Sequence, residues 1–396
     1  MKVDKTKWKY TRLDNLVHIL NGFAFKSDCY CQKGIRVIRI TNVQDGYIED
    51  TDPKFYPVSY SNELSKYILH ENDLLISLTG NVGRVAFLPQ EMLPAALNQR
   101  VACIRSQNST TISLEFLYFF MMNKTFKDDC IKSSKGVAQL NMSTEWLKSY
   151  IIPIPPHIEQ QAIAAELNAI QTMIDGYKAQ IADLDALAQS IFHNTFGNVA
   201  INDKCWNIIP MGQLGNFKNG LNYSKEERGK SVKIIGVGDF HCIKCISSFD
   251  NISYIEVEDT PQEYLLHNED IIFVRSNGNK NLVGRCLEVF PNNTEVTFSG
   301  FCIRFRKSVE IINKYLISLL TDIEFKNTHI LKSNGIGIQN INQKLLSSLP
   351  IPVPPIDIQK KYAIQVEAIE KQKELIRQQL TDAETLMAER MQYYFS

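Results

Sequence analysis

The stretch IPIPPHIEQQ, running from Ile152 to Gln161, is answered by IPVPPIDIQK, running from Ile351 to Lys360. The matching prolines Pro153 and Pro352 are 199 residues apart, as are Pro156 and Pro355. Proline lacks a donor and pushes its predecessor out of the helical region, so each run predicts an extended approach followed by a helix. A proline-free stretch of helix formers does follow each one, His157 to Asn194 and Ile356 to Tyr394. A repeat of this length in a 396-residue chain means two copies of one large unit, which read two similar things or hold two identical partners.

The repeat extends outward from the prolines. Trp8 and Trp206 are 198 apart, as are Leu16 and Leu214, and the pairs Asn21-Gly22 and Asn219-Gly220. NDLLISLTGNVGR (Asn72–Arg84) matches EDIIFVRSNGNKNLVGR (Glu269–Arg285) once a four-residue insertion is allowed. Gly136 pairs with Gly335, Asn141 with Asn340 and Leu147 with Leu346, each at 199. Identity is otherwise low, so the frame is duplicated while its loops have diverged.

The large segments read as mixed strand and helix. Gly34–Thr41, Asp73–Leu78, Val101–Arg105, Ile271–Val274 and Phe301–Arg306 are short, β-branched or aromatic, and bounded by turn residues. Leu114–Met122 and Lys314–Leu320 read as core helices, and Phe116, Tyr118, Phe119 and Phe120 fall at packing spacing. The two long helices share a heptad register. In the first, Ile163, Ile170, Tyr177, Leu184 and Ile191 alternate with Leu167, Ile174, Ile181 and Ala188. In the second, Tyr362, Ile369, Ile376 and Ala383 alternate with Val366, Leu380 and Met387, and Lys373 and Arg390 break the apolar rule, either sitting at the rim or choosing the register. The expected fold is α+β: two mixed α/β domains joined by two long helices in an antiparallel coiled coil, with pseudo-twofold duplication. Two amphipathic helices, each packed on its own domain, are the alternative. The boundaries follow the prolines, giving domains at 1–152 and 198–351, and linker plus helix at 153–197 and 352–396.

Composition narrows the class. Apolar content of 44% and charge of 22% are ordinary for a globular protein. The strongly apolar run Phe116–Met122 is too short to span a bilayer, and MKVDKTKWKY has no signal-peptide core, so a cytoplasmic location is expected. Nine cysteines, scattered and odd in number, fit reduced thiols. Cys242 and Cys245 form one CxxC beside His241 without a second ligand pair, so no metal is expected. Net charge is zero, but residues 1–156 carry 19 basic and 15 acidic side chains, and 157–197 carry one and five. Local basic patches are therefore available for DNA.

The order of motifs resembles the specificity subunit of type I restriction-modification systems, over nearly the whole chain. The resemblance rests on Asp73-Leu74-Leu75 with Gly80 and Gly83-Arg84, then Asn98-Gln99, and on Asp270-Ile271-Ile272 with Gly284-Arg285. Each copy closes with a Gly/Gln/Asn segment, Gly136 to Asn141 and Gly335 to Asn340, running into the double proline and its helix. Glu159-Gln160 after the first prolines becomes Ile358-Gln359 in the second copy. The resemblance implies a DNA-binding subunit with no catalytic centre and no cofactor of its own. It also implies two methyltransferase partners carrying S-adenosylmethionine, with restriction-translocase subunits added for cleavage. Each domain would read half of a split, asymmetric target in double-stranded DNA. Paired helices of about 38 residues would make a rod roughly 55 Å long, a ruler against a DNA turn of roughly 34–36 Å.

Reading bases needs donors and acceptors on turns beside basic side chains. Thr79, Asn81 and Arg84 supply such a loop in the first copy, with Gln99 nearby. Arg275, Asn277, Lys280 and Arg285 supply a longer one in the second, where the insertion falls. Arg84 and Arg285 match between copies and can equally serve hydrogen bonding within each fold. Lys132, Lys135 and Gln139 precede the first proline linker, Lys332, Asn334 and Gln339 the second, and Lys26 and Lys225 follow the Asn-Gly turns as phosphate candidates. Gly236-Val237-Gly238 lacks a completing glycine for nucleotide binding, and neither double proline has the acid or amide of an amino-methyltransferase loop. Three other readings stay open: an enzyme modifying DNA directly, an adaptor binding proteins through its globular ends, and a module of a differently organised restriction system.

Overall fold

The computed structural model describes residues 3–395 apart from 137–139, 224–228, 241–244, 259–260, 280–281 and 332–339. Contacts divide the chain into two compact units, Met1–Lys178 with Arg377–Ser396, and Ala179–Ile376. This division differs from cuts at the prolines. Each unit holds one mixed α/β region, the start of the helix that follows it and the end of the other long helix. Both helices begin immediately after the double prolines, spanning His157–Phe196 and Ile356–Phe395. No helix among the described residues is long and apolar enough to cross a membrane.

In the first unit, Leu74–Ser77 is buried on every residue because it lies between two neighbours. The antiparallel sheet runs in the order Val17–Asn21, Val101–Ser106, Leu74–Ser77, Val85–Phe87. Ile35–Ile38 centres a second sheet, antiparallel to Phe55–Tyr56 and parallel to Ala95–Leu97. The expected strand Gly34–Thr41 stops at Ile38 because the amide of Arg39 turns to the Asn42 side chain, 2.9 Å away. Helix Leu114–Met122 has the expected bounds, with Ser113 capping it through the Phe116 amide at 3.3 Å. Phe116, Phe119 and Phe120 are buried in the core it forms with Trp8 and Leu13.

The second unit repeats the plan. Its larger sheet runs Gly215–Asn219, Cys302–Lys307, Asp270–Val274, Cys286–Val289, with Cys245–Ile246 added in parallel at the edge. Lys230–Ile235 centres the smaller sheet between Tyr254–Val257 and Val296–Phe298. The same buried clamp supports both larger sheets. Asp73 accepts the guanidinium of Arg105 and the amide of His70, and Asp270 accepts Arg306 and the amide of His267.

The proline linkers are edge strands rather than free polyproline. Ile151–Ile154 pairs antiparallel with Lys9–Arg12, and Pro350–Val353 with Asn207–Pro210. A two-stranded ribbon tolerates prolines, whose missing donors face away from the ladder. Beyond them, Gln160 fixes the helix to its domain: its side chain takes the Ser113 amide at 2.9 Å and donates to the Thr111 and Pro155 carbonyls. Gln359 repeats this with the Ile312 amide at 3.0 Å and the Pro354 carbonyl. The glutamine is thus the retained part of the motif. Glu159 accepts the Trp8 indole at 3.0 Å, whereas Trp206 donates to the Phe196 carbonyl, which frees Ile358 from that role.

The heptad seams pair within each unit. In the first, Ile170 and Ile174 pack with Ala383, joined by Tyr177, Leu380 and Met387, while Glu166 meets Arg390 and Tyr394. Numbers rise along one helix as they fall along the other, so the halves run antiparallel. Ile163 and Leu167 continue into the domain core, where Tyr394 is also buried, so both pairing and packing on the domain occur. Each buried apolar side chain stabilises by about 1.5–3 kcal/mol, against about 0–1 for the exposed Lys178–Glu384 pair. The apolar seam holds the helices. In the second unit, Tyr362 and Val366 are buried with Phe192 and Phe196, Ile369 and Ile376 are also buried, and Ile181, Leu184, Ala188 and Ile191 are half-buried. Lys373 corrects the expectation of a rim position. It is 4% exposed, with its ammonium 2.6 Å from Asp185 and 3.1 Å from Glu370.

Candidate nucleic-acid interface

Both copies build one turn from the same backbone hydrogen bonds. In the first unit the Asn98 amide donates to the Ile38 carbonyl (3.2 Å), Gln99 to Phe23 (2.9 Å) and Val101 to Asn98 (2.9 Å). The Arg100 amide donates to the Asn98 side chain (3.1 Å), and Leu78 donates to the Arg100 carbonyl (2.9 Å). In the second, Ser299 donates to Ile235 (2.9 Å), Gly300 to Leu221 (2.8 Å) and Cys302 to Ser299 (2.8 Å). Phe301 donates to the Ser299 hydroxyl (3.3 Å), and Arg275 to the Phe301 carbonyl (2.8 Å). Gly22 and Gly220 make the turn possible, since a Cβ there would lie 2.2 Å from the Asn98 carbonyl and 2.1 Å from that of Ser299.

Beside this turn lies the loop in which the copies differ. In the first unit the Gly80 amide donates to the Leu140 carbonyl and Met142 to Leu78, docking the loop on the segment that approaches the linker. The short loop is pinned by Ser77, whose side chain donates to the Asn81 carbonyl at 2.5 Å and accepts the Arg84 amide at 3.0 Å. Val274 stands at the matching place in the second unit and offers no hydroxyl, so only backbone bonds are shared: Gly83 donates to the Ser77 carbonyl and Gly284 to that of Val274, while the Ser77 and Val274 amides donate to the Arg84 and Arg285 carbonyls. There the Ile341 amide donates to the Arg275 carbonyl, and Ser276 bridges Asn340. Gly83 and Gly284 turn the chain at φ of 81° and 77°, a conformation open to glycine at little cost.

The expected site residues divide between frame and surface. Arg84 donates to the Gln44 side chain and Arg285 to the Phe240 carbonyl at 3.3 Å, so the matched arginines brace the fold. Thr79 is buried and bridges Asn141, so it holds the loop while the exposed Asn81 sits at its tip. Arg275 is half-buried, its guanidinium 3.4 Å from the Gly300 carbonyl. Asn277 is half-buried and accepts the Asn279 amide at 2.7 Å. Gln99, Lys26, Lys132 and Lys135 are exposed, with Lys132 3.5 Å from Asp129 and Lys135 paired through its backbone to Asn141. Gln139, Lys225, Lys280, Lys332, Asn334 and Gln339 lie outside the described residues, as do His241 and Cys242. Burial lowers the Lys326 ammonium below its ordinary value, and nearby Arg285 adds to the effect.

A cleft of about 510 Å³ opens in the second unit, lined by Tyr223, Gly236, Ser253, Asn277, Ser299 and Phe301 among others. Gly236 belongs to a turn in which its amide donates to Asp239 at 2.7 Å, the counterpart of Arg39 and Asn42. The Gly-Val-Gly run is therefore part of the frame. No group of three His, Cys, Asp or Glu side chains among the described residues could hold a metal ion. Neither Arg100 nor Phe301 stands in a shared motif, so comparing the copies by identity does not single them out.

A family profile described as the type I restriction modification DNA specificity domain matches residues 5–185 and again 195–385. The StySPI specificity subunit of Salmonella potsdam is 24% identical over 96% of this chain and 85% of its own length. The EcoKI specificity subunit of Escherichia coli is 21% identical over 95% of this chain and 85% of its own. The S subunit structure from M. genitalium has the same fold, with a TM-score of 0.59 at 16% identity, covering 99% of this chain and 97% of that one. Duplicated sheets, duplicated clamps and a family match covering both repeats agree: the chain belongs to the type I restriction-modification DNA specificity family and carries its specificity domain twice.

Proposed function

We propose that each recognition region reads one half of a bipartite, asymmetric DNA target, and that the chain positions two methyltransferase subunits without performing chemistry itself. Restriction subunits join the same assembly for cleavage, and S-adenosylmethionine is held by the methyltransferase. The observation that carries this reading is the duplicated turn with diverged loops: one frame, built from matched hydrogen bonds, presents Asn81 in one unit and the longer loop that starts at Arg275 in the other. Phosphates are alike at every sequence, so a frame that kept its backbone and changed only its loop tips suits base reading. Asn277→Ala in the full chain, assembled with its methyltransferase, tests it. The expected result is relaxed discrimination in one half-site only; equal weakening of both halves would contradict it.

A further inference from the structure

Arg100 and Phe301 occupy the same place on the duplicated turn, fixed by five matched hydrogen bonds in each unit. Both side chains are exposed, Phe301 by 62%. The Arg100 guanidinium has no hydrogen-bond or ion-pair partner among the described residues. Single exposed apolar residues are common on protein surfaces. Phe301 differs in lining the cleft, with Ser276 and Asn277, on a turn that cannot yield without breaking the Ser299 contacts.

We infer that this position determines specificity in each half of the target, with Arg100 reading a guanine and Phe301 a thymine. The inference rests on the reading proposed above. A phosphate-contacting position would remain cationic in both copies, because phosphates carry no sequence. A base-reading position changes with the base. Guanidinium fits the O6 and N7 acceptors of guanine in the major groove, and a phenyl ring fits the thymine methyl.

The test is enrichment of a randomised duplex library by the full chain assembled with its methyltransferase. Arg100→Ala should relax one guanine position of one half-site by roughly 5- to 150-fold and leave the other half unchanged. Phe301→Ala should relax one thymine position in the opposite half. Arg100→Gln keeps hydrogen-bonding capacity and should move the preference from guanine towards adenine. Unchanged melting temperatures would show that these exposed substitutions leave the fold intact. An unchanged motif, or a uniform loss of affinity with a shallower salt dependence, would overturn the inference while leaving the bipartite reading standing. A wild-type motif that is not split would overturn both.

Discussion

Arg105 closes on Asp73 through two parallel hydrogen bonds of 2.7 and 2.6 Å, and Arg306 repeats the arrangement on Asp270 at 2.7 Å twice. Asp73 and Asp270 are 6% and 1% exposed at their side chains, so each carboxylate depends on its arginine. Removing one partner of a buried pair costs about 3–5 kcal/mol. Arg105→Ala and Arg306→Ala should each lower stability by that order in chemical denaturation. Lysine at either position, lacking the planar fork, should recover only part of the loss.

Gln160→Ala and Gln359→Ala should each destabilise by about 1–3 kcal/mol, because the buried Pro155 and Pro354 carbonyls lose their donor and the Ser113 and Ile312 amides their acceptor. Glu159→Ala should cost less, since the Trp8 indole it accepts is part-buried. Thermal unfolding of the three variants checks this ordering.

Lys373 lies buried while Asp185 and Glu370 keep solvent contact, at 56% and 35% exposure. Replacing it leaves no buried orphan charge. Lys373→Met, similar in volume and apolar, should be neutral or stabilising. A fall in melting temperature would show that the ion pairs stabilise the seam.

Burial alone would raise the Glu166 carboxyl, but the hydrogen bonds it accepts, including those from Arg390 and Tyr394, outweigh burial and hold it at about 2. Its folded value lies below the ordinary carboxylate value, so its stabilisation is present above pH 4.5 and is lost as pH falls towards 2. Wild type should therefore lose more stability than Glu166→Gln between those limits, as read by unfolding at each pH.

Periodicity made the helices legible: prolines set their starts, and every seventh residue set their seams. Long-range pairing was less legible. Asp73 and Asp270 are 197 apart, but Arg105 and Arg306 are 201 apart, so the loop insertion hides the clamp from a constant-offset comparison. Lys373 breaks the apolar pattern, yet its burial depends on acids supplied by both helices. Thr79 carries a hydroxyl suited to DNA, but only its burial, beside the backbone pairing with Asn141, shows that it serves the fold. Arg100 and Phe301 share a place without sharing chemistry, which identity between copies cannot reveal.

Two independent readers in one chain can be tested most directly by exchanging residues 1–150 for those of a relative and mapping methylation with the partner methyltransferase present. The expected result is a split motif in which one half changes and the other half is retained. A motif that changes in both halves together, or that is continuous, would contradict the central claim.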